Sequence, residues 1–317
     1  MTADQATDFM GCIREGKFVL MDGALGTELE RRGVPFAGEG WSAFAVADHG
    51  DVVRQVHADY IKAGARLHIV NSFALARHVL EPLGLGDQFE QLNRRAVELF
   101  DEAAQEVGVA RNTLWAAGSL STFAANSDRS LLPRGEALVT NYSDQAKVLL
   151  AAGVDLFALE MLFDIDVSLA MLKAVEGLGL PVMLGFTCER DPGDATAVIT
   201  HGGMGGAVAP LEKVLSRVID AIESDDVIVA IMHSEAEVTD AALDILSRHW
   251  DGPVAVYPNS GYFVDLRMQF DSVCSVEAFR QATQSWIAAG VQIVGGCCGI
   301  GPAHIEGLAG SLDVRSR

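Results

Sequence analysis

Long apolar runs are missing from this sequence. Nowhere do about 18 uncharged apolar residues stand together, the length a membrane-spanning helix needs. The opening MTADQATDFMGCIREGKF contains no apolar stretch long enough for a signal peptide. A cytoplasmic protein is therefore expected. Positive charge is scarce as well: 23 Lys and Arg stand against 43 Asp and Glu, a formal net charge of −20. Such a surface repels phosphate backbones and anionic headgroups, which excludes nucleic acid and membrane surfaces and leaves small molecules as partners. The carboxylates themselves read as a solvated surface that says nothing about substrate. Cysteine is rare and odd in number, five in all (Cys12, Cys188, Cys274, Cys297 and Cys298). Without a secretory signal, that count favours free thiols or metal ligands over a disulfide framework. Low-complexity segments and linker-like breaks in composition are absent too, so the chain reads as one domain spanning 1–317.

What is present is ample core material, with 50% hydrophobic residues. It is arranged in short runs rich in β-branched residues: FVLMDG (18–23), LHIVNSF (67–73), LWAAGS (114–119), LFALEM (156–161), PVMLGFT (181–187), VIVAIMH (227–233), PVAVYPN (253–259) and QIVGGCC (292–298). Between them lie segments with helical spacing, among them 51–65, 88–107, 143–153 and 275–290, several closing on a glycine suited to a left-handed cap. Strands alternating with crossover helices are parallel. Eight such units predict a single (β/α)8 barrel, with a doubly wound open sheet as the alternative. The polar stretch 123–140 reads as a long loop over the barrel mouth.

In such a barrel the chemistry sits at the C-terminal strand ends. The polar or sulfur-bearing residues there are Asp22, Asn71, Ser72, Glu160, Cys188, His233, Asn259, Cys297 and Cys298. Neighbours on a regular strand face opposite ways, but in GGCCG the flanking Gly295, Gly296 and Gly299 allow a turn that brings both thiolates onto one zinc ion. The bland reading is a pair of buried thiols. A third ligand must come from another strand: His233 after the sixth, or Cys188 after the fifth. Asp22 and Glu160 could hold an ammonium group, and the backbone amides of Gly23, Ala24 and Leu25 a carboxylate. Asp22 also suits a plain turn-former, whereas a carboxylate after the apolar run LFAL is costly unless it is paired.

These residues resemble the homocysteine S-methyltransferase family, which includes betaine-homocysteine and S-methylmethionine-dependent enzymes and the homocysteine module of cobalamin-dependent methionine synthase. The matching blocks are MDGALGTELERRG (21–33), WSAF (41–44), VHADYIKAGARLHIVNSF (56–73), DLFALEM (155–161), YPNSG (257–261) and GGCCGIGPAHI (295–305). The resemblance implies a barrel whose zinc carries the sulfur of homocysteine. It assigns Asp22 and Glu160 to the substrate ammonium, the amides from Gly23 to Leu25 to its carboxylate, and the Asn259 side-chain oxygen to the zinc shell when no thiol is bound. Two departures stand out. Where the family has a Gly-Val-Asn-Cys motif, this chain reads Ala230-Ile231-Met232-His233, which takes the zinc centre with its ligands from a net charge of −1 to 0 and leaves a bound thiolate less nucleophilic. Where sulfonium-using relatives carry Gly-Ser-Ile-Gly-Pro-Tyr-Gly, this chain has GSLSTFAANS (118–127), which leaves the donor open among sulfonium, quaternary ammonium and methylated cofactors.

The expected activity is zinc-dependent transfer of a methyl group to homocysteine, forming methionine. Trp41 and Phe73 would offer aromatic faces to a cationic donor or simply pack in the core. The alternatives are a barrel enzyme that demethylates an onium compound onto a different thiol, and a metal-free binding relative. Either a monomer or a homodimer built on barrel helices is compatible with the chain.

Overall fold

Strand and helix alternate through the computed structural model, which describes residues 8–35, 40, 42–125, 128–201, 208–264 and 267–311. The strands are β1 (Val19–Leu20), β2 (Leu67–Ile69), β3 (Trp115–Ser121), β4 (Leu156–Leu162), β5 (Val182–Asp191), β6 (Asp194–Thr200), β7 (Val227–Met232), β8 (Val254–Tyr257), β9 (Tyr262–Val264), β10 (Arg267–Gln269) and β11 (Ile293–Val294). The helices are α1 (Phe9–Arg14), α2 (Gly26–Arg31), α3 (Ala43–Asp48), α4 (Gly50–Ala63), α5 (Arg77–Leu80), α6 (Phe89–Val107), α7 (Glu136–Ala152), α8 (Ile165–Val175), α9 (Leu211–Ile219), α10 (Ala236–Leu246), α11 (Val276–Ala288) and α12 (Pro302–Ser311).

Eight strands pair in the order β1-β11-β8-β7-β5-β4-β3-β2. All of these pairings are parallel, and a parallel bridge between Met21 and Leu67 joins the last strand to the first. The sheet closes on itself, so the architecture is the (β/α)8 barrel and not the open sheet. Alternation along each strand then divides the core. Trp115 and Ala117 of β3, with Leu156 and Ala158 of β4, face the barrel interior, whereas Ala116, Phe157 and Leu159 face the helices. Phe9, Met10 and Ile13 of α1 join the interior cluster, and Phe9 meets Trp115 edge-on at 5.3 Å. That helix plugs the floor, so the opposite end, where the strands terminate, is the open one.

Three features depart from the sequence pattern. The long loop expected over 123–140 is shorter, because α7 begins at Glu136 after Gly135, whose φ of 58° ends the extended segment. The segment CERDPGDATAVIT (188–200) folds as an antiparallel hairpin of β5 with β6, and β9 pairs antiparallel with β10. Both carry too few apolar alternations to read as strands in advance. No helix among the described residues is long and apolar enough to cross a membrane.

Candidate active site

The end of β7 hands the chain to His233 in an unusual conformation. Its φ is +43°, a region that non-glycine residues occupy seldom and mostly at functional sites. The conformation is held from both sides: the His233 N–H donates to the Tyr257 carbonyl at 3.1 Å, and its own carbonyl accepts from Thr187 Oγ1 at 3.2 Å. In this pose Nδ1 lies 3.4 Å from Cys297 Sγ, and Cys297 Sγ lies 3.9 Å from Cys298 Sγ.

The Cys pair converges because β11 stops at Val294 and the chain leaves the ladder. Gly296 N–H then donates to the Asp22 carbonyl at 2.9 Å and Cys297 N–H to the Pro258 carbonyl at 2.7 Å. Gly299 supplies the turn, with φ of +84°, and a Cβ there would stand 1.9 Å from the Ser260 carbonyl oxygen. The expectation that all three flanking glycines free the turn needs correcting. Gly295 and Gly296 do not adopt positive φ; they are needed for space, since added Cβ atoms would come within 2.5 Å of the Asp22 carbonyl and 2.2 Å of Ile300 Cγ2. Gly299→Ala is accordingly expected to cost at least about 2 kcal/mol, combining left-handed strain with a backbone clash. Denaturant titration checks the loss, which an unchanged midpoint would refute.

The ligand atoms of His233, Cys297 and Cys298 all lie within 4.8 Å of one another. A tetrahedral zinc with Zn–S of about 2.3 Å and Zn–N of about 2.05 Å requires S···S near ~3.8 Å and S···N near ~3.6 Å. The observed 3.9 and 3.4 Å match that requirement within a few tenths of an ångström. Three ligands leave a fourth position, the pattern of catalytic rather than structural zinc. Asn259 carries a buried Oδ1 with no hydrogen-bond partner but is not among the residues that line the cavity. Cys188 is not part of the group. Its Sγ lies 3.3 Å from Ser234 Oγ, and burial pushes its thiol up to about 12. Without a metal, the hydrogen bond to Cys298 and burial hold Cys297 well above an ordinary thiol, while the Cys297 sulfur and the Glu160 carboxylate outweigh burial and raise His233.

The group opens into a cavity of about 730 Å³ whose wall includes Gly23, Ala24, Leu25, Asn71, Phe73, Glu160 and Tyr257. Glu160, at the end of β4, accepts a hydrogen bond from Ser119 Oγ. Burial raises its carboxyl to about 7, against the opposing pull of Ser119, Tyr257 and His233. The Tyr257 hydroxyl, buried without a partner in hydrogen-bonding geometry, stands near enough to influence Glu160. Its space exists because Gly185 has no Cβ, which would fall 2.5 Å from that oxygen. In the first turn, Ala24 N–H is already bonded to the Ile300 carbonyl at 2.9 Å, so Gly23 and Leu25 are its free amides among the described residues. Asp22 lies behind the wall, not on it. It accepts from Ile69 N–H at 3.1 Å, leaves Oδ1 unpartnered, and is raised well above the usual carboxylate range by burial. Ser72 is spent in the framework, bonded to the Ser119 carbonyl at 2.9 Å, and Trp41 lies outside the described residues.

A second buried group, Asp22 with His57 and His68, has no counterpart in any metal-ligand motif of the sequence. His68 Nε2 bonds the Ala65 carbonyl at 3.2 Å, its Nδ1 sits 3.7 Å from Asp22 Oδ2, and burial takes both imidazoles down to about 3. Both histidines are therefore neutral. Tyr257 is a further wall residue outside the polar strand ends of the sequence, although the YPNSG block holds it.

The homocysteine S-methyltransferase family model matches residues 19–312. The chain belongs to that family. As a member it is a methyltransferase. It is 30% identical to Homocysteine S-methyltransferase of Escherichia coli, covering 92% of this chain and 94% of the relative. It is 26% identical to Homocysteine S-methyltransferase 4 of Zea mays, covering 96% and 93%. The crystal structure of the E. coli homocysteine methyltransferase MmuM in its metallated form superposes with a TM-score of 0.74 at 25% identity, over 96% of this chain and all of that one. In this chain the barrel brings Glu160, His233, Cys297 and Cys298 to one cavity.

Proposed function

We propose that this methyltransferase moves a methyl group from an onium-type donor to the thiol of homocysteine, forming methionine, with zinc held by His233, Cys297 and Cys298. The observation that carries the reading is the meeting of those three ligand atoms in a cavity that also presents Glu160 and the Gly23–Leu25 turn. Bound zinc supplies a Lewis acid that makes a thiol nucleophilic at neutral pH, where a free thiol is only a few per cent ionised. The chain's own residues do the rest. Glu160, ionised, takes the substrate ammonium, while Asp22 stays behind the wall, where burial favours its neutral form. The amides of Gly23 and Leu25 take the carboxylate. The sulfur end of the amino acid is thereby directed to the His233 side of the cavity, and the apolar walls at Phe73, Met161 and Met232 keep water from the donor methyl.

Methionine formation from homocysteine with a panel of sulfonium, quaternary ammonium and methylated-cofactor donors tests the reading. It fails if no donor gives methionine, or if chelation leaves turnover intact. The neutral imidazole at 233 favours one second reading, transfer to a thiol other than homocysteine, and varying the acceptor in the same assay separates the two. The third ligand has its own test. His233→Ala is expected to weaken zinc binding by at least about 100-fold, a larger loss than outer-shell changes cause, whereas Cys188→Ala keeps full occupancy. Elemental analysis of both proteins decides, and the reverse pattern would move the ligand to Cys188.

A further inference from the structure

Arg129 stands on the cavity wall as the only lysine or arginine among its described residues. It opens the single turn Arg129–Leu131 between β3 and α7, and its guanidinium carbon lies 4.3 Å from the centroid of the Phe163 ring. Stacking on an aromatic face fixes the planar group and leaves its N–H edge free. Arg95, Arg111 and Arg280 each pair with a carboxylate, but Arg129 has no such partner among the described residues. Asp164, the carboxylate whose charge it feels most, uses Oδ1 to cap α8 through Val167 N–H at 3.0 Å. A half-buried cation thus stands beside a cavity with no carboxylate in ion-pair contact among the described residues.

Position gives it meaning. In the closed strand order, β4 lies directly across the ring from β11 and β3 directly across from β8. Arg129 follows β3 and Phe163 follows β4, so the cation faces the Cys pair from the opposite rim. Phe73 and Phe123, with ring centroids 6.0 Å apart, line the cavity just after β2 and β3, and Phe263, also on its wall, lies 6.5 Å from His233. These are surfaces that suit onium methyl groups. A donor bearing positive charge alone would meet Arg129 in a setting that screens it poorly. A donor with a carboxylate at its far end would compensate Arg129 and place its onium methyl toward the opposite rim.

We propose that Arg129 binds the carboxylate of the methyl donor, so that the enzyme selects a zwitterionic onium acid over a simple onium cation. This deepens the methyl-transfer reading and rests on it. A guanidinium and a carboxylate meet through two parallel hydrogen bonds, which fix direction as well as charge. The donor would be oriented for in-line transfer: the sulfur–methyl bond forms as the onium–methyl bond breaks, and the donor leaves as a neutral thioether or tertiary amine with its carboxylate still on Arg129.

The test compares wild type with Arg129→Gln, using S-methylmethionine and glycine betaine, each as free acid and as methyl ester, at saturating homocysteine. Wild type is expected to prefer whichever acid it uses over its ester by at least about 10-fold in kcat/KM, and Arg129→Gln to lose roughly 10–100-fold with the acid, mostly in KM. The esters should be handled alike by both proteins, with the homocysteine KM unchanged. Equal losses with acid and ester would mean a merely structural role and overturn the proposal. A raised homocysteine KM would assign Arg129 to the acceptor and overturn it as well. If no methionine forms with any donor, the transfer reading fails on its own. Calorimetric titration with the free acids then still decides on Arg129: tighter binding to wild type supports the proposal, and equal binding refutes it.

Discussion

Cys298→Ala is expected to lose zinc and to fall to below about one thousandth of wild-type methyl transfer while staying folded. The sulfur is one of three ligand atoms gathered within 4.8 Å, and two ligands no longer meet the three that a catalytic zinc requires. Lewis-acid activation contributes several kcal/mol, and each 1.36 kcal/mol corresponds to about tenfold in rate, so a loss of roughly 10³ follows. The fold should survive. Its strands close the barrel through backbone pairing that ends at Val294, before the pair begins. Elemental analysis, circular dichroism and turnover on one preparation check the three parts of the expectation. A folded, zinc-free variant with near-normal activity would remove the metal from the account, and an unfolded one would shift the test to Cys298→Ser.

Glu160→Gln is expected to separate activity from stability. Binding an ammonium needs the ionised carboxylate, and a hydrogen bond to a charged group contributes about 1.5–3 kcal/mol, so kcat/KM for homocysteine should drop roughly 10–100-fold. Wild type should bind homocysteine better as pH rises through about 7, the value to which burial raises Glu160. Stability runs the other way. A carboxyl raised from 4.5 to about 7 holds its proton more tightly in the folded protein than in the unfolded chain. That contribution is full below the unfolded value and is lost as pH climbs through about 7, leaving a buried charge. In metal-free protein, Glu160→Gln should therefore melt higher than wild type at pH 8, by up to about 3 kcal/mol of stability, and match it at pH 4. A variant less stable than wild type at pH 8 would contradict the burial argument.

The barrel could be read from the sequence because each strand is buried on both faces and so appears as an unbroken apolar run. β7, VIVAIM, is buried throughout. Polar residues that end such runs are conspicuous, and Glu160, His233 and the Cys pair were found in that way. What could not be read depends on backbone conformation and on distant packing. Nothing in AIMHS announces the left-handed φ at His233, the conformation in which its imidazole meets Cys297. Tyr257 sits inside an apolar strand, and only the missing Cβ of Gly185, 72 residues upstream, makes room for its hydroxyl. Asp22, at a strand end, suits the role of an ammonium-binding carboxylate in sequence, but the structure places it elsewhere. The chain turns just after it, so that Gly23 and its neighbours line the cavity while the carboxylate packs behind them against His68. Arg129 falls in the stretch that reads as a long loop over the barrel mouth, and only the arrival of Phe163 from the next strand end gives it a fixed place.

Zinc K-edge absorption on the purified enzyme, alongside metal content and methionine formation, tests the central claim most directly. The account predicts one zinc per chain, two sulfurs near 2.3 Å and imidazole nitrogen near 2.05 Å, with a third sulfur joining when homocysteine is added. Full turnover from protein that holds no metal, or a first shell without sulfur, would contradict it.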